Sequence, residues 1–384
     1  MLHHLIKYRV CFKLTRVNLN IPSIKLPAVF KQTSLVFFLT VLLSTNFLLS
    51  FAQNQPLVYK QLTSSYGLPT DYIYSIDFDE DGFLWMATTN GLVRYDGKNY
   101  RVFDITANSN KELVWDIRHI CRNSDRVWFA GQTGKLYYYH KQDQSICHYK
   151  LDEGIVSNLH KAPITFIYCD INDHLWIAYQ GHGVLFLNPE SNEQKLYQYH
   201  EGNRNSLISN EVQDICQDEL GKYWIATDKG ISILNMQDES FQHLFNSSSN
   251  QDLLLSNRIQ SIIADPAGYI WLGTSGAGLS KLDPSTLERT DFVYDEKYKQ
   301  SITNNYINDL FIDSYNQLWI STKNGLNYLD LNSKSKRVFH YSKNHQGGLS
   351  SNRVSDLTQS DQGSIWVSTY GGGVNVIQSR ESRF

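Results

Sequence analysis

SNRIQSIIADPAGYIWLGTSGAGLSKLD (residues 256–283) and SNRVSDLTQSDQGSIWVSTYGGGVNVI (residues 351–377) are two versions of one phrase. Each opens on Ser-Asn, runs through spaced apolar residues to a turn, reaches a Trp, places a Thr three residues later, and crosses glycine into a second apolar run. Worked outward from these two, the phrase recurs along the chain. Seven of the eight tryptophans fall at 85, 128, 176, 224, 271, 319 and 366, at spacings of 43 to 48 residues. Repeats of this length mark one supersecondary unit stacked on itself. Seven copies fill residues 57–384 and leave no stretch for a second domain.

Within each copy four short strands are predicted. The first carries spaced apolar residues, as at Val212 and Ile215, and ends in a turn such as Asp218–Gly221 or Asp265–Gly268. The second bears the Trp, as in Trp224-Ile225-Ala226-Thr227, and a glycine turn leads to the third, Gly230–Leu234. The fourth is aromatic-rich: Phe241–Phe245, Phe292–Tyr294, Val338–Tyr341. Short strands at regular spacing make an all-β chain, and four strands per radial repeat make a β-propeller blade. The last copy has three strands and then only SRESRF, whereas residues 56–62 (PLVYKQL) match a fourth strand. The expected fold is therefore a closed seven-bladed β-propeller over 53–384, its N-terminal strand completing the last blade. An open array would leave that blade with a bare edge.

The chain has 35 Lys+Arg and 38 Asp+Glu. Six of the basic residues and no acid lie in residues 1–52, so the rest is acidic, which argues against a nucleic-acid binder. Residues 35–52 (LVFFLTVLLSTNFLLSFA) are uncharged and follow basic residues, with Ser50 and Ala52 as small residues before Gln53. Residues 1–52 are read as a signal peptide, with an uncleaved N-terminal anchor as the alternative and the only membrane contact. The body is expected to be exported. Cys121, Cys169 and Cys216 occupy near-equivalent places on the inner strands of blades two, three and four. Equivalent positions on neighbouring blades are expected to lie too far apart for a bond, so these cysteines are read as buried free thiols.

Seven copies supply an alignment inside one chain. Positions held across blades are framework: the Trp, which is expected to fill the space between blades, the Thr at 88, 227, 274, 322 and 369, and the Gly opening strand three. Function is sought where copies differ on one rim. Thirteen residues before each Trp, or the equivalent, stand Tyr72, Trp115, Pro163, Glu211, Arg258, Tyr306 and Arg353. The turns between strands two and three share that face and bring Asn90, Gln132, Gln180, His182, Lys229, Ser275, Asn324 and Tyr370. Aromatic rings mixed with Arg, Glu and amides suit a small polar ligand with apolar faces, such as a sugar.

Other motifs carry less. Asp77–Gly82 (DFDEDG) opens like a calcium loop, but Thr88 stands where the closing acid belongs, and the segment is blade one's version of the shared turn. Gly131–Lys135 has too short a spacing for a phosphate loop. No metal set, cofactor motif or catalytic motif is found, and no enzyme activity is expected.

The phrase N-x-[VI]-x-x-[IL]-x-x-D-x-x-G-x-[IL]-W-[IVLM]-x-T-x-x-G-[LIV] resembles the two-component regulator propeller repeat. Blades two and three depart from it, with Gly131 and Tyr179 in place of the Thr and Asp125 and Asp173 in place of the turn Gly. The resemblance implies the periplasmic sensor region of hybrid histidine kinases, many of them from Bacteroidetes, that detect oligosaccharides. It implies as partners an oligosaccharide, a second propeller and a kinase. The downstream domains usual in that family are not found in this sequence, which is expected to be a truncated frame. Two other readings stand beside it: a protein-docking scaffold, and a polysaccharide lyase or hydrolase using a rim acid such as Glu211.

Overall fold

The computed structural model describes residues 58–378 apart from 104–116, 158, 160–161, 248–252, 299–300 and 344–346. The leader and Trp115 lie outside the described residues. Among those described, no helix is long and apolar enough to cross a membrane. The strands form seven four-stranded antiparallel sheets. Six are built from consecutive strands. The seventh joins Val354–Gln359, Ile365–Thr369 and Gly373–Ile377 to Val58–Leu62, so the ring closes as expected. Its register pairs Val58 with Ile377 and Leu62 with Val374.

The second strand of a blade lies between neighbours on both faces, so its residues are buried without alternation. Leu84–Thr88, Leu175–Tyr179, Tyr223–Thr227 and Ile270–Thr274 are buried throughout. Each tryptophan packs onto the next blade. Trp85 clusters with Ile117, Ile120 and Phe129, and Trp271 with Ile307, Leu310 and Ile320. Trp366, packed with Ile73, Ile76 and Leu84, repeats the contact across the closure.

A polar framework serves the same blades. In five of them the indole N–H donates to the Asp that opens the turn: Asp79 (2.7 Å), Asp170 (3.4 Å), Asp218, Asp265 and Asp313 (2.8 Å each). Asp79 also accepts the N–H groups of Asp81 and Phe83, which accounts for the calcium-like spelling of that segment as a turn. The repeated Thr hydroxyl donates to the carbonyl of the glycine opening strand three, as Thr274 does to Gly278 at 2.7 Å. Gly278 has φ +110°, and a Cβ there would stand 2.6 Å from the Phe292 carbonyl oxygen, so no other residue fits. The phrase's Asn is a brace. Asn210, Asn305 and Asn352 each accept the N–H of an outer-strand exit residue (Tyr199, Tyr294, Tyr341) at 2.6–2.7 Å.

One expectation is overturned. Cys121 and Cys169 form a disulfide between blades two and three, with Cα atoms 5.9 Å apart, while Cys147 and Cys216 are free. Inner strands converge toward the axis, and the two cysteines are not equivalent. Cys121 lies opposite its blade's Trp128, as Cys216 lies opposite Trp224, but Cys169 lies opposite Leu175, one place further along. Successive side chains leave opposite faces of a strand. That single step turns Cys169 to the other face of its sheet from the one Cys121 and Cys216 use, and the sulfurs can meet.

Candidate functional site

All seven inner strands slip register at the same place, one residue after they begin. The extra residue in each bulge is Tyr74, Arg118, Thr165, Gln213, Gln260, Asn308 or Ser355, and every one is half-buried. Bulges re-aim side chains and gather at functional sites. The seven bulges set a second ring just inside the rim, with six residue types over seven blades. Thr165, Asn308 and Ser355 bond to strand carbonyls, at Ala178 (3.4 Å), Val354 (3.2 Å) and Ile73 (2.8 Å).

Apart from Trp115, the rim residues named from sequence immediately precede their inner strands. The carbonyls of Tyr72, Pro163, Arg258, Tyr306 and Arg353 each accept an N–H from the turn between strands two and three, at 2.8–3.4 Å. That bond fixes rim and turn side by side. Tyr72, Glu211, Arg258, Tyr306 and Arg353 are exposed.

Only part of the ring is assembled. Tyr72 meets Tyr370 edge-on at 5.0 Å between centroids, and Tyr74 meets the same ring at 5.6 Å. Arg353 holds its guanidinium 4.5 Å over Tyr370, and Arg118 lies 4.1 Å over Tyr74. The cluster therefore joins blades seven, one and two. Elsewhere Lys323 sits 3.7 Å over the ring of Tyr306. No hydrogen bond or ring contact among the described residues joins Glu211, Arg258, Tyr306 or His182 to the Tyr–Arg cluster. Sequence reading missed Tyr74 and Arg118. Their signal was present, since the position after the first buried strand residue takes six residue types over seven copies, but the bulge that exposes it leaves no mark in spacing.

Beyond the bulges the inner strands bring acidic groups together. Asp356 accepts the Ile76 N–H at 2.8 Å across the closure, and Asp214 accepts the Ile262 N–H at 2.8 Å and the Ser261 hydroxyl at 2.9 Å from the next blade. Burial pushes Asp214 up to about 6, and Asp77 to about 6 in spite of Arg122. It pushes Asp356 to about 7. Asp309 is raised well above its ordinary value, by burial first and then by the charges of Asp356 and Asp214. His119 is lowered to about 4 by burial and by Arg118, so it is neutral at pH 7. These inner strands thus carry fewer charges near neutrality than their composition implies.

A sequence profile described as two-component regulator propeller matches residues 67–90, 206–229, 253–276, 301–324 and 348–371, which are blades one, four, five, six and seven. Five of the seven blades thus match the two-component regulator propeller repeat. The two blades left unmatched, two and three, are those whose Thr and turn Gly depart from the phrase. No curated protein matches the chain in sequence. Among solved structures, the extracellular domain of the hybrid two-component system BT3049 from B. thetaiotaomicron is 25% identical, with a TM-score of 0.68. That match covers 83% of this chain and 41% of that one. The corresponding domain of BT4673 from the same organism is 18% identical at a TM-score of 0.65, covering 84% and 39%. A virginiamycin B lyase from Staphylococcus aureus is 12% identical at 0.59, covering 83% and 98%, and shares the fold alone. The chain spans less than half the length of the extracellular domains it matches.

Proposed function

We propose that this propeller is an exported, periplasmic ligand-sensing module of a two-component signalling system and recognises an oligosaccharide at its rim. The observation that carries the reading is the Tyr72–Tyr74–Tyr370 cluster with Arg118 and Arg353 over its rings, set at bulged strand starts of repeats shared with a hybrid two-component system's extracellular domain. Tyrosine faces stack on the apolar side of a sugar ring, and the guanidinium groups donate to its hydroxyls. The blade seven–one junction is where the ring is closed, so occupancy there would bias the packing of the closing strands and, through a neighbouring output domain, a kinase.

The test is a thermal-shift screen of the full chain against neutral and acidic oligosaccharides, since a ligand that binds only the folded state raises Tm. At least one oligosaccharide is expected to raise Tm in a concentration-dependent way, and Tyr370→Ala is expected to abolish the shift. A panel without any shift, combined with recovery of a protein partner, would replace this reading with that of a docking scaffold.

A further inference from the structure

Blades two and three enclose a cavity of 370 Å³ that no part of the rim enters. Its walls are Leu136 from blade two, Leu151 and Leu159 from the connector, and Tyr179 from blade three. Leu136 and Leu159 are fully buried and form the apolar part of a lining that also holds His148 and Tyr149. Tyr179 stands where five other blades carry the threonine that binds its own turn glycine. It is 1% exposed, and its hydroxyl has no hydrogen-bond partner among the described residues. A buried polar group left unpaired destabilises the free fold, and such groups in native structures call for an explanation. Burial holds the phenol above its ordinary value, so it stays protonated and can donate. Lys135 and Lys150 line the same opening against one acid, Glu153.

We propose that this inter-blade cleft binds a small amphiphilic carboxylate, its apolar body between Leu136, Leu151 and Leu159 and an oxygen accepting from the Tyr179 hydroxyl. The two lysines supply the charge preference. The Cys121–Cys169 disulfide ties together the inner strands of the same two blades. The site lies apart from the channel mouth and does not depend on the sensing role proposed for it.

Phenylacetate and its neutral counterpart phenylacetamide are suitable probes, read by saturation-transfer NMR on the full chain. Phenylacetate is expected to bind more tightly than the amide. Tyr179→Phe is expected to weaken phenylacetate about tenfold, the loss of one hydrogen bond, while raising the Tm of the free protein because the orphan hydroxyl is gone. Lys150→Gln, on the exposed edge, is expected to erase the preference for acid over amide without changing Tm. Tyr370→Ala at the channel mouth is expected to leave phenylacetate binding intact, which separates this site from the oligosaccharide reading. Absence of transfer from the wild-type protein, or binding undiminished in Tyr179→Phe, overturns the proposal.

Discussion

Asp265 accepts the N–H groups of Ala267 and Tyr269 and the indole N–H of Trp271, so one carboxylate shapes the turn and anchors the ring that packs on the next blade. Asp265→Ala would leave that indole buried and unpaired and is expected to cost about 3 kcal/mol, measured by urea unfolding. Blade seven offers the converse. Ser360 occupies the Asp position with the same turn bonds, to Ser364 and Gly363, and the Trp366 indole nitrogen is buried without a partner among the described residues. Ser360→Asp is expected to stabilise the protein by about 1 kcal/mol in the same assay. The inner-strand carboxylates act with the opposite sign. Their folded pKa values are raised, so the stability they contribute is full below the unfolded value near 4 and is lost as pH rises through about 6 to 7. His119, lowered to about 4, opposes them below its unfolded value. Asp309→Asn removes the charge crowded by Asp356 and Asp214. It is expected to raise Tm at pH 8 and leave it nearly unchanged at pH 5, and an equal rise at both values would refute the assignment.

At the scale of the blade, what was legible is what repeats. The Trp, the Thr–Gly pair and the turn Asp are framework in the structure because every blade needs them, and seven copies display that need. The Asn of the phrase was visible as a letter but not as a brace, since its partner lies in a connector of variable length. The bulge was invisible, because one extra residue in a strand of six changes no spacing between blades. The same one-residue resolution separates Cys169 from Cys121 and Cys216, and this is why the disulfide was missed. It closes a segment of 48 residues. Cys121→Ser with Cys169→Ser is expected to lower stability by about 4 kcal/mol on chain-entropy grounds. Reductant should bring the wild type to the level of the double variant and leave that variant unmoved.

For the whole molecule the sequence ends were decisive. The missing fourth strand of the last copy and the surplus strand at residues 58–62 identified the closure and the number of blades. The rim was legible as a position but not as an assembly, because which aromatic side chains meet across the blade seven–one seam depends on the closure itself. Leu62 is buried in that seam beside Leu68 and Val374. Leu62→Ala is expected to cost about 3 kcal/mol, and Leu62→Asp is expected to broaden the thermal transition because the last blade is then left with an unpaired edge. The seam also sets an order of events during synthesis. Val58–Leu62 is made before any blade, yet its partner Gly373–Ile377 belongs to the seventh. Throughout elongation the earlier segment therefore stays an unpaired edge strand until the seventh repeat arrives.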